Sequence, residues 1–108
     1  MKSWLEVSLI EDLQIGKLTR LEPEDIDPIV VYRKNSDEYF VFTDRCSHAD
    51  VRLSKGCIAE NGLALVCKAH GAHFDLSSGA PLSAPATAPL DTWTWKIESE
   101  KLFVSVEE

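Results

Sequence analysis

The chain has 108 residues, 44% of them apolar, and eighteen acids against eleven bases leave a formal charge of -7. A chain of this length folds around one core, removing roughly two-thirds of its extended surface from water, and its acidic balance opposes nucleic acid and anionic lipid as partners. The longest apolar runs, Pro28 to Tyr32 and Leu63 to Cys67, fall far short of the ~20 residues of a membrane span.

Trp4 to Ile10 holds Trp, Leu, Val and Ile and predicts a first strand. Glu6 breaks the apolar character there, so no signal peptide is expected and a cytoplasmic location follows. After Glu11-Asp12 and Gly16, Lys17 to Leu21 alternates polar and apolar residues as a half-buried strand does. Pro23 to Pro28 has a loop composition, and Ile29 to Arg33 is expected to face Tyr39 to Thr43 across Lys34-Asn35-Ser36-Asp37. Asn61-Gly62, a strong two-residue turn signal, pairs Cys57 to Glu60 with Leu63 to Cys67. After Pro81, Pro85 and Pro89, Trp93 to Glu98 and Leu102 to Val106 alternate across Ser99-Glu100 as a closing hairpin. Helical periodicity is nowhere sustained, which predicts an all-β domain, a sandwich or barrel of antiparallel strands. The chain reads as a single domain over residues 1–108.

Cys46, Cys57 and Cys67 cannot all pair, and an odd count points to metal ligation or free thiols rather than a disulfide framework. Two Cys/His pairs stand out: Cys46-Ser47-His48 and Cys67-Lys68-Ala69-His70, with eighteen residues between them. Each lies at the end of an expected strand beside turn-forming residues, Asp44 before the first and Gly71 after the second. Two loops can therefore converge on one metal centre. Thiolate and imidazole donors suit zinc, which takes four at the corners of one tetrahedron, or a binuclear iron-sulfur cluster in which two His replace two Cys on one iron. The donor set alone leaves both open.

The surrounding residues narrow the choice: Arg52-Leu53-Ser54-Lys55-Gly56 follows the first pair, and Gly71-Ala72-His73-Phe74-Asp75, then Ser77-Ser78-Gly79 and Pro81 to Pro89, follow the second. With these the chain resembles the Rieske-type ferredoxins of bacterial ring-hydroxylating dioxygenase systems over nearly its whole length. The resemblance implies an antiparallel β fold with a small cluster-binding subdomain, about residues 45–75. It implies one 2Fe-2S cluster, with Cys46 and Cys67 on the inner iron and His48 and His70 on the outer, surface-facing one. It also implies an electron carrier rather than an enzyme, taking single electrons from a flavin-containing, NADH-dependent reductase and delivering them to a terminal oxygenase; nothing in the sequence demands more than a monomer. Lys68 departs from the Pro that commonly follows the second Cys. Val51 and Ala69 stand where respiratory Rieske proteins carry an extra disulfide, and Ala72 and Phe74 where those proteins place Ser and Tyr donors to the cluster sulfurs. With fewer donors, a potential near the low end of the Rieske range, roughly -150 mV, is expected. Outside that resemblance stand a small subunit of an assimilatory nitrite reductase and a structural zinc module.

Other residues receive plainer readings. Cys57 is expected as a small buried filler in its hairpin, His73 as a surface residue beside an inward Phe74, and Trp93 and Trp95 as a packed face. Residues 45 to 73 hold four bases and two acids, whereas residues 1 to 44 hold ten acids and five bases and residues 74 to 108 six acids and two bases. Arg45, Arg52, Lys55 and Lys68 thus make the expected cluster region locally positive.

Overall fold

The computed structural model describes residues 2–45, 52–68, 71–82 and 88–107. Strands follow in the order β1 (Lys2–Leu9), β2 (Leu18–Leu21), β3 (Ile29–Arg33), β4 (Tyr39–Thr43), β5 (Cys57–Ile58), β6 (Ala64–Val66), β7 (His73–Asp75), β8 (Trp95–Glu98) and β9 (Lys101–Glu107). Two three-residue 3-10 turns, Ile10–Asp12 and Leu53–Lys55, are the helical segments among the described residues. The fold is all-β, as expected.

Three antiparallel sheets result, ordered β1-β9-β8, β2-β3-β4 and β5-β6-β7. Residues alternate in direction along β3, and that alternation explains the layering. Ile29 and Val31 enter one core with Leu102 and Val104 of β9, while Val30 and Tyr32 enter another with Leu65 and Phe74 of the third sheet. On β4, Tyr39 and Val41 join the first core and Phe42 the second. The middle sheet is covered on both faces, so its strands are continuous apolar runs rather than alternating ones. Trp93 and Trp95 pack against the first core, and the Trp95 ring meets Tyr39 edge-on at 5.2 Å.

The paired bounds Ile29–Arg33 and Tyr39–Thr43 match the sequence expectation, and Asn35 closes their turn by accepting from the amides of Asp37 and Glu38 at 2.8 and 2.9 Å. Three details differ. The β5–β6 connection is longer than a two-residue turn: Ala59 donates to the Ala64 carbonyl, leaving residues 60–63 as the loop. His73–Asp75 forms an additional short strand. The first and last strands pair along their lengths, from Lys2 opposite Glu107 to Leu9 opposite Lys101.

Candidate metal centre

The first ligand loop leaves β4 and returns at Arg52. Its root is fixed by the Asp44 amide, which donates to the Pro28 carbonyl at 2.9 Å. The Asp44 carboxylate, on a fully buried side chain, accepts from the Ser54 amide and hydroxyl, each at 2.7 Å, and from the Arg20 guanidinium. One buried side chain therefore ties together the two ends of the loop and anchors both to β2. The hydrogen bond it donates to Asp44, with Glu22 beside it, holds Arg20 protonated above its ordinary range. Past the loop, the Gly56 amide donates to the Leu53 carbonyl at 2.9 Å, and a Cβ on Gly56 would lie 2.0 Å from the Val66 carbonyl oxygen. Only glycine allows the returning chain to lie this close to β6.

The second loop is the connection of the β6–β7 hairpin. Val66 opposite His73 is its last ladder pair, and the Cys67 amide donates to the Ala72 carbonyl at 2.8 Å. Gly71 has φ 65 with nothing near its would-be Cβ, so conformation rather than space calls for glycine there. Cys67 is fully buried in one cluster with Leu53, Leu65, Ala72 and Phe74.

Beyond β7, the segment that starts the proline-rich stretch is pinned to the hairpin. Asp75 donates its amide to Ala80, Leu82 to His73 and Leu90 to Gly79, each at 2.8 Å. The Asp75 carboxylate accepts from the hydroxyls of Ser77 and Ser78 and from the Ser78 amide, and these bonds hold its pKa below the ordinary carboxylate value.

Of the four ligand candidates, Cys67 is placed as described, while Cys46, His48 and His70 lie outside the described residues. Both loops border one core: Phe42 at the end of β4, Leu53 after the first loop and Cys67 at the start of the second all belong to it. A buried thiol among apolar side chains, at the mouth of a hairpin whose next residues include an imidazole, fits a thiolate-and-imidazole iron site. Cys57 is corrected: it is exposed on the outer strand β5, because Ile58 takes the core-facing position and strand neighbours face opposite ways. His73 is half-buried rather than on the surface, and Phe74 points inward as expected. Arg20 and Ser54 carry no motif signal, since their role comes from Asp44 across the fold.

Three antiparallel sheets with a buried cysteine at the mouth of one hairpin make this an all-β domain with a candidate metal site at one hairpin. The family model of the Rieske [2Fe-2S] domain matches residues 3–94, and the chain belongs to that family, carrying one Rieske-type 2Fe-2S cluster. The chain is 30% identical to ferredoxin CarAc of Metapseudomonas resinovorans over 97% of its own length and 95% of that protein's. It is also 30% identical to the 3-phenylpropionate/cinnamic acid dioxygenase ferredoxin subunit of Escherichia coli K12, covering 92% of this chain and 90% of that one. Among solved structures, the complex of reduced oxygenase and oxidized ferredoxin in carbazole 1,9a-dioxygenase matches with TM-score 0.81 and 31% identity, over 94% of this chain and 91% of that one. A putative NADPH nitrite reductase small subunit shares the fold at TM-score 0.80 and 17% identity, over 94% of this chain and 97% of that one. Like its ferredoxin relatives, the chain is an electron-transfer component rather than a catalytic one. No helix among the described residues is long and apolar enough to cross a membrane.

Proposed function

We propose that this ferredoxin passes single electrons from an NADH-dependent flavoprotein reductase to a terminal aromatic-ring-hydroxylating oxygenase. In this reading Cys46 and Cys67 hold the inner iron, His48 and His70 the outer one, and residues about 45–75 act as the cluster-binding subdomain. The cluster supplies a one-electron couple when bound. The protein's part is to hold its donors still and shield them. Asp44 secures the first loop, the Cys67 amide bond to Ala72 closes the second, and Leu53, Ala72 and Phe74, each 0% exposed, keep water from the thiolate side. A rigid, apolar enclosure of this kind limits rearrangement when charge changes.

The observation that carries this reading is Cys67, fully buried at the mouth of a loop that also contains His70. Oxygenase chemistry requires a second iron on a two-His, one-carboxylate triad, and only three His exist in the chain. Once His48 and His70 serve the cluster, His73 alone remains. Ala72 and Phe74 offer no hydroxyl to a cluster sulfur, which supports a midpoint potential near the low end of the family range, roughly -150 mV.

Visible and electron paramagnetic resonance spectra before and after dithionite test the reading. A red-brown protein whose reduced form gives the low-average-g signal of a His-ligated binuclear cluster is expected, with voltammetry placing the midpoint well below about +100 mV. A colourless protein holding about one zinc per chain, and refusing reconstitution with iron and sulfide, overturns it in favour of a structural metal module. Serine at Cys67 should abolish the spectrum, whereas serine at Cys57 should leave it intact.

A further inference from the structure

We infer that the end of the molecule bearing the ligand loops is an electropositive docking face for a protein partner whose own redox site is rimmed by carboxylates. The inference rests on the electron-carrier reading and goes further by fixing the sign of the partner's surface, against the protein's own net charge of -7.

The bases are placed by the fold. Arg45 and Arg52 bracket the first loop, Lys68 lies in the second, and Lys55 ends the 3-10 turn between them; all four are exposed. The segment carrying Arg52 and Lys55 is seated on the root of the second loop, because Leu53 shares a core with Cys67 and Gly56 abuts Val66. The four therefore share one end of the molecule. Arg45 and Arg52 also line a concavity of about 300 Å³ together with Arg20, Asp27 and Asp44. Arg20 and Asp44 pair with each other, so the net charge the concavity offers comes from Arg52, which has no ion pair among the described residues. Among the described residues, Arg52, Lys55 and Lys68 form no ion pair, whereas Lys96 and Lys101, on the first sheet, are matched by Glu98 and Glu6. Asp27, from the β2–β3 connection, also lines the concavity and limits its positive area on that side. Leu82, 57% exposed, is bonded through its amide to His73 beside the second loop and lines a separate concavity with Cys57, Ile58 and Glu60.

The cluster does not cancel this field. Two ferric ions, two sulfides and two thiolates sum to zero, and reduction adds one negative charge, fewer than the bases around it. Charges within a Debye length of the electron's exit act on an approaching partner more strongly than distant ones, so the local sign rather than the net sign governs encounter.

Small one-electron oxidants read that local sign without any assumption about the partner. The reduced holoprotein is mixed in stopped flow with hexacyanoferrate(III), an anion, or hexaammineruthenium(III), a cation; each takes one electron from the cluster and is itself reduced by one. Raising salt from about 20 to about 300 mM should slow the anion's reaction about threefold or more and speed the cation's. In Arg52→Glu/Lys68→Glu, and separately in Lys55→Glu, the anion's salt dependence should flatten or reverse, with the reduced-state spectrum unchanged. If the wild-type rate with hexacyanoferrate rises with salt, as the net charge alone dictates, or if the variants keep the wild-type slope, the docking face is overturned. A protein that shows no cluster absorbance to bleach instead refutes the electron-carrier reading beneath it.

Discussion

At the first ligand loop a single carboxylate, on the fully buried side chain of Asp44, receives both donors of Ser54 and one from Arg20. Removing it leaves the Ser54 amide unpaired, and Arg20, with its side chain 22% exposed, falls back on Glu22 and water. Asp44→Ala should therefore cost about 2–3 kcal/mol, and Ser54→Ala, which loses only the hydroxyl, about 1 kcal/mol. Denaturation of the holoprotein followed by far-ultraviolet circular dichroism, with cluster absorbance alongside, measures both, and equal effects of the two variants would contradict this account. Asp75 gives the pH dependence a sign. Its folded pKa lies below the unfolded value of about 3.9 because Ser77 and Ser78 donate to the ionised form. In that window the unfolded chain binds more protons than the native one, so the contribution is present above about pH 4 and is lost as pH falls through the depressed folded value. Asp75→Asn should flatten the decline of the urea midpoint between about pH 4 and 2, where wild type falls more steeply. The sequence shows why such residues escape a linear reading. Asp44 looks like a turn residue before Cys46, and nothing in its neighbourhood announces partners on β2 and after the loop. The candidate ligands stand out in the sequence because metal-binding chemistry is written in residue type and local spacing.

Among the elements, β3 and β4 are legible to the residue, since continuous apolar runs bounded by Pro28 and by Asn35 admit few alternatives. The strand His73–Asp75 is hidden, because three residues between Gly71 and Ser77-Ser78-Gly79 carry no periodicity to detect. The pairing of β1 with β9 is hidden for another reason: alternation shows that a strand has a buried face but not which partner supplies it. The β8–β9 hairpin is found by its alternation, yet its turn is chemically unfavourable. Ser99 and Glu100 both adopt left-handed backbone, φ 52 and 62, in a two-residue turn whose backbone suits Asn-Gly. Each non-glycine residue there carries a strain of about 1 kcal/mol. Ser99→Asn with Glu100→Gly keeps the backbone bond from the Ile10 amide to the residue-100 carbonyl, which is 3.1 Å in the native chain. The double variant should gain about 1 kcal/mol, seen as a higher denaturant midpoint at unchanged slope. A lower midpoint would mean that the native side chains hold the turn by contacts outweighing its strain.

For the molecule as a whole, the middle sheet divides the interior into two cores, and this division decides how the protein should respond to loss of its cluster. The core between the middle and third sheets contains Cys67, Leu53 and Ala72, which belong to the ligand loops or their roots. The core between the first and middle sheets contains Leu13, Leu102 and Val104 with β3 and β4 residues and, among the described residues, takes nothing from either loop. Metal binding contributes folding free energy to whatever structure its ligands hold together. In the third sheet that structure is small: β5 has two residues, and β6 and β7 three each. Without the cluster, the β6–β7 hairpin retains few backbone bonds with which to oppose the entropy of opening its loop. By contrast, β9 is paired with β1 along its length and with β8 on its other side, independently of any ligand. Hydrogen exchange on the holoprotein and on protein stripped of iron should therefore differ by location. The Cys67 amide and its neighbours in β6 and β7 should exchange about tenfold faster or more after stripping, while β9 and the central strand β3 stay within about threefold of their holo rates. A uniform rise across all three sheets would instead mean that β3, shared by both cores, couples them into a single cooperative unit, and that the cluster stabilises the entire fold rather than the end that binds it.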